Sequence, residues 1–290
     1  IEGLDMLEGR YGIATNNVRA QDIASVEVYE NHQPIKALKD LIDSDRAALN
    51  LKLKKEAKGT WNATLRLGAG YKPWMWDAEA TAMYFGRNFQ TIDTYKTNNT
   101  GDDVSRELTS FYDGLDAASP LLGVHRPTEP SLGQERYLDN EIHTVSTNAI
   151  VKLRKELELT ANAHYIHDFQ TSEGGSVTTY YLPDAVPLVI EEQTFADRRT
   201  DRTEVNLQLR SNTERHYFQE KLTFGGQWDT DYGRVVNDGE RVDQRFRLPK
   251  ITLRNLFTGV RRWNRWAVNF RSETDYATQP TSLRIRPMLY

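Results

Sequence analysis

Residues 141–169 read EIHTVSTNAIVKLRKELELTANAHYIHDF and contain two runs in which apolar and polar residues alternate. Because successive side chains of a β-strand point to opposite faces, each run predicts a strand with one apolar and one polar face. The apolar face carries Val145, Thr147, Ala149, Val151, Leu153, Leu157, Leu159, Ala161, Ala163 and Tyr165. The polar face carries Thr144, Ser146, Asn148, Lys152, Glu158, Thr160, Asn162 and His164, with Ile150 as the one exception. A charged turn at 154–156 joins the runs, so the stretch predicts a β-hairpin.

The arms of this hairpin are long. An ordinary globular strand has about 5–6 residues, whereas a tilted strand that crosses a bilayer needs roughly 9–11. Long alternating strands, joined by short turns at one end and long loops at the other, are typical of an outer-membrane β-barrel. The sequence therefore predicts a mainly β protein: about 9–10 strands of a larger antiparallel transmembrane barrel, preceded by a small α/β unit.

Composition narrows the class of protein. The chain has 290 residues, of which 38% are hydrophobic, and its mean hydropathy is −0.67. It contains no run near the ~20 apolar residues of a spanning helix, although barrel strands need apolar residues only at alternate positions. A net charge of −4 without a basic block indicates no nucleic-acid partner. There is no cysteine, which excludes disulfides and thiolate metal sites. Because Ile1 follows no recognisable signal peptide, we expect either a processed protein or an internal piece.

The alternation recurs along residues 59–290. Further strands are predicted at 61–69, 76–84, 89–97 (weaker, because Asp93 shares a face with Phe89 and Tyr95), 205–209, 218–224, 246–257 and 267–270. Short turns are predicted at 70–73, 86–88, 212–214 and 261–264, and longer insertions or loops at 98–140, 171–201 and 229–242. A short helix is expected near 104–112, and Pro249 predicts a bulge in its strand.

The six tryptophans also favour a membrane location. Trp61, Trp74, Trp76, Trp228, Trp263 and Trp266 all fall near predicted strand ends. Amphipathic aromatic rings favour the headgroup layer and form girdles at both edges of a transmembrane barrel. Aromatic residues cap strand ends in soluble sandwiches too, so this pattern leaves both classes of protein open.

Residues 1–58 have a different pattern. A short helix at 19–23, capped by Asn17, is predicted to precede a strand at 26–29 and a helical turn at 36–42. A strand from Ala47 then alternates Leu49, Leu51 and Leu53 with Asn50, Lys52 and Lys54. This predicts a small mixed α/β unit rather than part of a barrel wall.

The same region carries a family resemblance, at residues 1–4, 10–17 and 23–38, the last including VEVYENHQPIKAL. These segments resemble the last part of the plug domain of TonB-dependent outer-membrane receptors. Within that family, the segments resemble those of the receptors of Bacteroidota that carry a carboxypeptidase-regulatory-like domain upstream. The sequence departs from the common family pattern after the VEV strand, where residues 31–34 replace a glycine-containing continuation.

The resemblance implies a division into the C-terminal part of a plug at 1–58 and the first part of the barrel at 59–290. It implies a bacterial outer-membrane receptor that actively imports a bulky nutrient, such as a glycan, peptide or metal chelate. Its partners would be outer-membrane lipid, the nutrient and the TonB complex through a plug segment that precedes Ile1, and a surface lipoprotein is a further candidate partner. Segments 98–140 and 169–203 would be extracellular, and the turns at Gly86, Lys155, Thr213 and Arg262 periplasmic.

The motifs that could carry chemistry are weak. His164 and His167 are three residues apart in a strand, so their rings should diverge rather than share a metal. Asp102 and Asp103 lack the ligand spacing of a calcium loop, and the neighbouring carboxylates Asp77 and Glu79 fit a wet barrel interior. No catalytic, metal-binding or cofactor-binding residue is assigned, no cofactor is expected, and the ligand-binding residues are unknown. We therefore expect a protein that is not an enzyme.

Two alternatives remain from the sequence. One is a soluble all-β surface-binding module, with shorter strands and an apolar interior between two sheets. The other is an outer-membrane porin or barrel enzyme. The receptor hypothesis further predicts that residues 1–54 lie against the polar face, with Glu79, Asn148, Asn162 and Gln208 pointing towards them or towards water. It also predicts that Arg would be tolerated at Asn162 and disruptive at Ala163, on the lipid-facing side.

Overall fold

A computed structural model describes residues 1–39, 41–42, 44–45, 47–108, 122–181 and 186–287. Antiparallel β-strands dominate the described residues, which form one small sheet and one large sheet. None of the helices in these ranges is long and apolar enough to cross a membrane.

Residues 1–58, called the N-terminal unit below, contain helix α1 (Tyr11–Asn17) and strands β1 (Ile23–Tyr29) and β2 (Ala48–Leu53). The two strands pair antiparallel as a separate sheet, from Ile23↔Leu53 to Tyr29↔Ala48. Short 3₁₀ turns occupy Ala20–Asp22, Lys36–Leu38 and Lys55–Ala57. The predicted α/β character of this region and both of its strands are thus confirmed.

The short helix predicted at 19–23 is present only as the 3₁₀ turn at Ala20–Asp22, and Asn17 is not its cap. Asn17 does not cap a following helix, because its Nδ2 donates to the carbonyl of Ile13 at 2.9 Å and so closes the last turn of α1. The Val18 amide donates to Ala14 O at 2.9 Å, and only the 3₁₀ turn follows before β1. The helical turn predicted at 36–42 is shorter than expected, with its 3₁₀ part at Lys36–Leu38.

Among the described residues, the large sheet contains ten strands. They are β3 (Trp61–Gly70), β4 (Met75–Phe85), β5 (Phe89–Asn98), β6 (Asp139–Arg154), β7 (Leu157–Tyr180), β8 (Leu188–Asn212), β9 (His216–Asn237), β10 (Glu240–Trp263), β11 (Trp266–Thr278) and β12 (Ser282–Arg286). Strands β3 to β11 pair antiparallel in chain order, and β12 pairs with β10 beyond the end of β11. Among the described residues β3 and β11 do not pair, so the sheet is open rather than closed into a barrel.

The hairpin at 141–169 is confirmed, with β6 and β7 paired from Asp139↔Thr171 to Arg154↔Leu157. The insertion predicted at 171–201 is wrong. Strands β7 and β8 stay paired up to Tyr180↔Leu188, and only residues 182–185 of that segment lie outside the described residues. Both faces of this extension carry polar side chains. Its sequence therefore lacks the alternation of apolar and polar residues that predicted the hairpin at 141–169.

The loop predicted at 229–242 is also wrong. Strands β9 and β10 pair up to Asn237↔Glu240, with Asp238 and Gly239 as the two-residue turn. Their φ angles are 48° and 87°, which matches the type I′ turn whose geometry fits a twisted hairpin. Asp-Gly is a preferred sequence for this turn, so a signal for the hairpin was present in the sequence.

Pro249 produces no bulge in β10. The register with β9 runs without a shift through Leu248↔Asp229 and Pro249↔Trp228. On the other side, pairing with β11 ends at Ile251↔Thr278 and pairing with β12 begins at Arg247↔Ser282. Pro249 therefore lies opposite an interruption of the neighbouring strand, where its missing N–H costs no ladder hydrogen bond.

Tryptophan positions agree with the prediction except for one residue. Trp61 and Trp266 begin strands, Trp263 ends one, and Trp74 and Trp76 flank the start of β4. Trp228 instead lies inside β9, which is much longer than the sequence indicated.

The predicted insertion at 98–140 contains 3₁₀ turns at Val104–Leu108 and Gln134–Arg136. The rest of the helix expected near 104–112 falls within residues 109–121, which lie outside the described residues.

The two faces of the large sheet differ in burial. On the face that carries Asn148, Asn162 and Gln208, called the polar face, these side chains are 0%, 1% and 5% exposed. On the opposite, apolar face, large side chains such as Leu65, Leu67 and Val145 are 68%, 71% and 44% exposed. This is the reverse of an ordinary soluble sheet, in which the apolar face is covered.

The N-terminal unit packs against the polar face, as predicted for residues 1–54. Met6 and Ile13 of the unit share an apolar cluster with Met83, Ile92 and Ile150 of the sheet, which explains why Ile150 interrupts the polar pattern of its strand. Asn162 donates to Met6 O at 2.9 Å, so its surroundings are protein rather than water. The predicted tolerance of Arg at Asn162 is therefore withdrawn. Glu79 lies on the same face but is partly exposed and binds Arg66 at 2.7 Å.

Candidate functional site

Charged side chains join the N-terminal unit to the polar face. Arg10, the residue before α1, donates through Nη2 to Glu204 of β8 and through Nε to Leu108 O at 3.2 Å. Glu8 lies 2.5 Å from Lys221 Nζ of β9. The Arg10 side chain is only 3% exposed, so its charge is compensated almost entirely by protein groups.

The segment that follows β5 folds back over this junction. Glu107 accepts from Lys96 Nζ at 2.7 Å and from Asn16 Nδ2 at 3.3 Å. The Lys96 and Glu107 side chains are 5% and 4% exposed, which makes this a buried ion pair. A Cβ atom at Gly12 would lie 3.0 Å from the Glu107 Cα, so glycine permits the close approach of α1 to the segment. The first residues of the predicted insertion are thus anchored over the polar face.

A cavity of about 240 Å³ lies beside Arg10 and Leu108, on the polar face of β7 to β10. Two cross-strand rows form its floor. One row is Ile166–Arg202–Gln227–Lys250, and the other is His164–Glu204–Gly225–Thr252. Since paired residues in a sheet face the same side, four separate strands contribute to one site.

The lining of this cavity is rich in cations. It contains Arg10, Arg202 and Lys250 as cationic side chains and Glu204 as the one carboxylate, all within the described residues. Glu204 already accepts from Arg10 and from Asn206 Nδ2 at 2.6 Å. Arg202 and Lys250 have no hydrogen-bond or ion-pair partner in the part of the chain that the structure describes. The cavity can therefore attract negative charge.

His164 is held at the cavity by a chain of hydrogen bonds that starts at the N-terminal unit. Asn162 donates to Met6 O and to Asn148 Oδ1, both at 2.9 Å. Asn148 donates to Ser146 Oγ at 2.7 Å, and that oxygen lies 3.0 Å from His164 Nδ1. Because Ser146 Oγ accepts from Asn148, its own proton is available for Nδ1. A neutral ring then carries its proton on Nε2, which is buried and has no partner among the described residues.

The weak motifs of the sequence resolve as follows. His164 contacts Ser146 on the polar face, while His167 Nδ1 lies 2.7 Å from Asp201 Oδ1, so the two imidazoles engage different partners, as predicted. Asp77 and Glu79 both bind Arg66. Asp103 accepts from the Ser105 hydroxyl at 2.6 Å. The described residues contain no cluster of three or more His, Asp or Glu side chains able to hold a metal.

The cavity residues were not assigned from the sequence, because their proximity depends on the registers of four strands. The sequence contained one signal. Arg202 and Lys250 are cations of the polar face that lie near the end of the apolar alternation in their strands. A scan against models of known families and a search of curated proteins both found no match.

Proposed function

We propose that the large sheet is part of the wall of a transmembrane β-barrel in a bacterial outer membrane, and that the N-terminal unit is the C-terminal part of its plug. The protein would be a TonB-dependent receptor that imports a bulky nutrient. The observation that carries this proposal is the reversed polarity of the sheet, with its apolar face exposed and its polar face covered.

The exposed apolar surface extends over the whole width of the sheet. Its large side chains include Trp61, Leu65, Leu67, Val145, Leu207, Leu222, Phe224, Leu253, Val268, Phe270 and Tyr276. Monomeric soluble proteins rarely expose a contiguous apolar patch of more than a few hundred Å². Lipid tails are a natural covering for such a surface, because each strand shows them only alternate residues.

The height of this apolar band fits a bilayer. About ten residues separate Trp266 from Tyr276 on β11, and at ~3.3 Å per residue with a tilt of roughly 40° they span about 25 Å. Near the 86–88 turn, the Tyr84 ring lies between those of Trp61 and Phe89, with ring-centroid distances of 5.3 and 5.9 Å. Such an aromatic cluster is typical of the interfacial girdle of a barrel.

The alternatives fit less well. A soluble sandwich would cover the apolar face with a second sheet, and the described residues contain none there. An open porin would leave the polar face wet, whereas Asn148 and Asn162 are buried beneath the N-terminal unit. The attachment of the unit through ion pairs such as Arg10–Glu204 favours a plug, because polar contacts can exchange with water when the plug moves.

Spin labels at two neighbouring residues of β11 test the membrane assignment. Val268 is on the apolar face and 58% exposed, while Asn269 is on the polar face and also exposed. In reconstituted protein, a label at 268 should be accessible to oxygen dissolved in lipid and shielded from a water-soluble nickel chelate, and a label at 269 should show the reverse. A label at 268 that is accessible to the nickel chelate, or shielded from both reagents, would exclude the barrel wall.

A further inference from the structure

The cavity on the polar face presents two cations that have no partner among the described residues. Arg202 on β8 and Lys250 on β10 flank Gln227 of β9 in a single cross-strand row. The nearest carboxylate in the lining, Glu204, is already bound by Arg10 and Asn206. The Gln227 side chain turns to Asp229, donating to its Oδ2 at 2.6 Å. Neither Arg202 nor Lys250 is therefore neutralised by a direct contact in the described part of the chain.

His164 supplies a second, independent indication of a ligand. Its side chain is 6% exposed, it lines the cavity, and its Nε2 has no hydrogen-bond partner among the described residues. A buried polar atom without a partner costs about 1–3 kcal/mol, so native structures rarely retain one without a reason. With the ring proton on Nε2, this atom is a hydrogen-bond donor that none of the described protein groups uses.

We propose that the cavity binds an oxyanion group, a carboxylate or phosphate, held by Arg202 and Lys250 and hydrogen bonded by His164 Nε2. The volume of about 240 Å³ lies below the roughly 300–1,000 Å³ of complete small-molecule sites. The site would therefore take the anionic end of a larger molecule. The identification of that molecule as an imported nutrient rests on the proposed function, whereas the binding of the anion does not.

Binding of small anions tests this proposal directly. Citrate and inorganic phosphate, titrated separately into the purified full chain in detergent at constant ionic strength, serve as carboxylate and phosphate probes with calorimetric detection. At least one should bind at millimolar concentration or below. The double variant Arg202→Gln/Lys250→Met should weaken that binding by about tenfold or more, because both charge-assisted contacts are lost.

A matched control is available on the same strand and face. Arg254 lies four residues from Lys250, outside the cavity lining, and pairs with Asp275. Arg254→Gln should leave the affinity unchanged, and equal weakening by Arg254→Gln and the double variant would reduce the effect to general surface charge and overturn the proposal. Absence of binding by both probes, in protein that still unfolds cooperatively, would also overturn it. Preference for citrate would assign a carboxylate ligand, and preference for phosphate a phosphate ligand.

The spin-label experiment separates this result from the proposed function. Anion binding combined with a water-exposed label at position 268 would support the anion site and contradict the proposed receptor function. A lipid-exposed label combined with no anion binding would do the opposite.

Discussion

Asn162 of β7 and Asn148 of β6 are joined by a hydrogen bond of 2.9 Å on the face of the sheet that the N-terminal unit covers. Both side chains are almost completely buried, and Asn162 also donates to the Met6 carbonyl of the unit. The amide nitrogen of Asn162 is accommodated at this depth because it donates to acceptors on β6 and on the unit, whereas its Oδ1 has no partner among the described residues. The pair therefore joins the two strands of the hairpin to each other and attaches them to the N-terminal unit.

We expect Asn162→Leu to destabilise the protein by about 1–3 kcal/mol, because Met6 O and Asn148 Oδ1 lose their donor in a buried environment. The midpoint of heat-induced unfolding, followed by the gel mobility of folded and unfolded protein, measures this loss. Asn269→Leu is the control, since Asn269 is on the same face but exposed, and it should change stability by less than about 0.5 kcal/mol. Equal effects of the two substitutions would argue against a buried amide network.

Ala163 is the sequence neighbour of Asn162 and lies on the apolar face. If that face meets lipid near the bilayer midplane, Ala163→Arg should cost about 2–4 kcal/mol and impair assembly into the membrane. Asn269→Arg, on the polar face, should assemble normally. The fraction of folded, membrane-inserted protein in cell envelopes gives the comparison, and normal assembly of Ala163→Arg would contradict a lipid-facing position.

These positions show what alternation could and could not predict. Val145 and Ala163 were correctly predicted to lie on the apolar face, because the two faces of β6 and β7 meet different environments. Beyond residue 171 both faces are polar, so the same strands continue without a sequence period. Ile150 looked like an error of pattern, and its explanation lies in Met6 and Ile13, which are distant in sequence. The cavity depends on Arg202, Gln227 and Lys250 standing in one row, which only the strand registers reveal.

Glu2 should make the attachment of the N-terminal segment dependent on pH. Burial alone would raise the pKa of Glu2, but hydrogen bonds from Lys58 Nζ at 2.9 Å and the Leu53 amide at 2.6 Å, with the Lys58 charge, hold it below its ordinary value of 4.5. The folded-state pKa is thus the lower one. The stabilising contribution is present above the ordinary pKa and disappears as the pH falls through the folded-state pKa.

The corresponding experiment compares the stability of Glu2→Gln with that of the unmodified protein, from pH 7 down to a pH below the folded-state pKa of Glu2. At pH 7 the variant should be less stable, by about 1 kcal/mol or less because the pair is partly exposed to water. The difference in unfolding midpoint should vanish in acid. Glu56→Gln is the control, since Glu56 is exposed and its side chain has no ion pair among the described residues. A constant difference at all pH values would show that the Glu2 charge does not contribute.

The buried pair Lys96–Glu107 connects β5 to the segment that covers α1. We expect Lys96→Met to destabilise the protein by about 3–5 kcal/mol, because it leaves the Glu107 carboxylate buried without its cation. The double variant Lys96→Met/Glu107→Leu should recover most of that loss, since it removes both charges and Asn16 loses only one weak contact of 3.3 Å. Lys155→Met in the exposed turn should have almost no effect.

The sign of the coupling between positions 96 and 107 decides what holds this segment in place. If the ion pair is the attachment, the two substitutions are strongly non-additive and the double variant is more stable than Lys96→Met alone. If packing around Gly12 and Leu108 is the attachment, removal of either charge should cost little and the effects should add. Equilibrium unfolding of the two single variants and the double variant measures the coupling. Additive effects below about 0.5 kcal/mol would contradict a structural role for the buried pair.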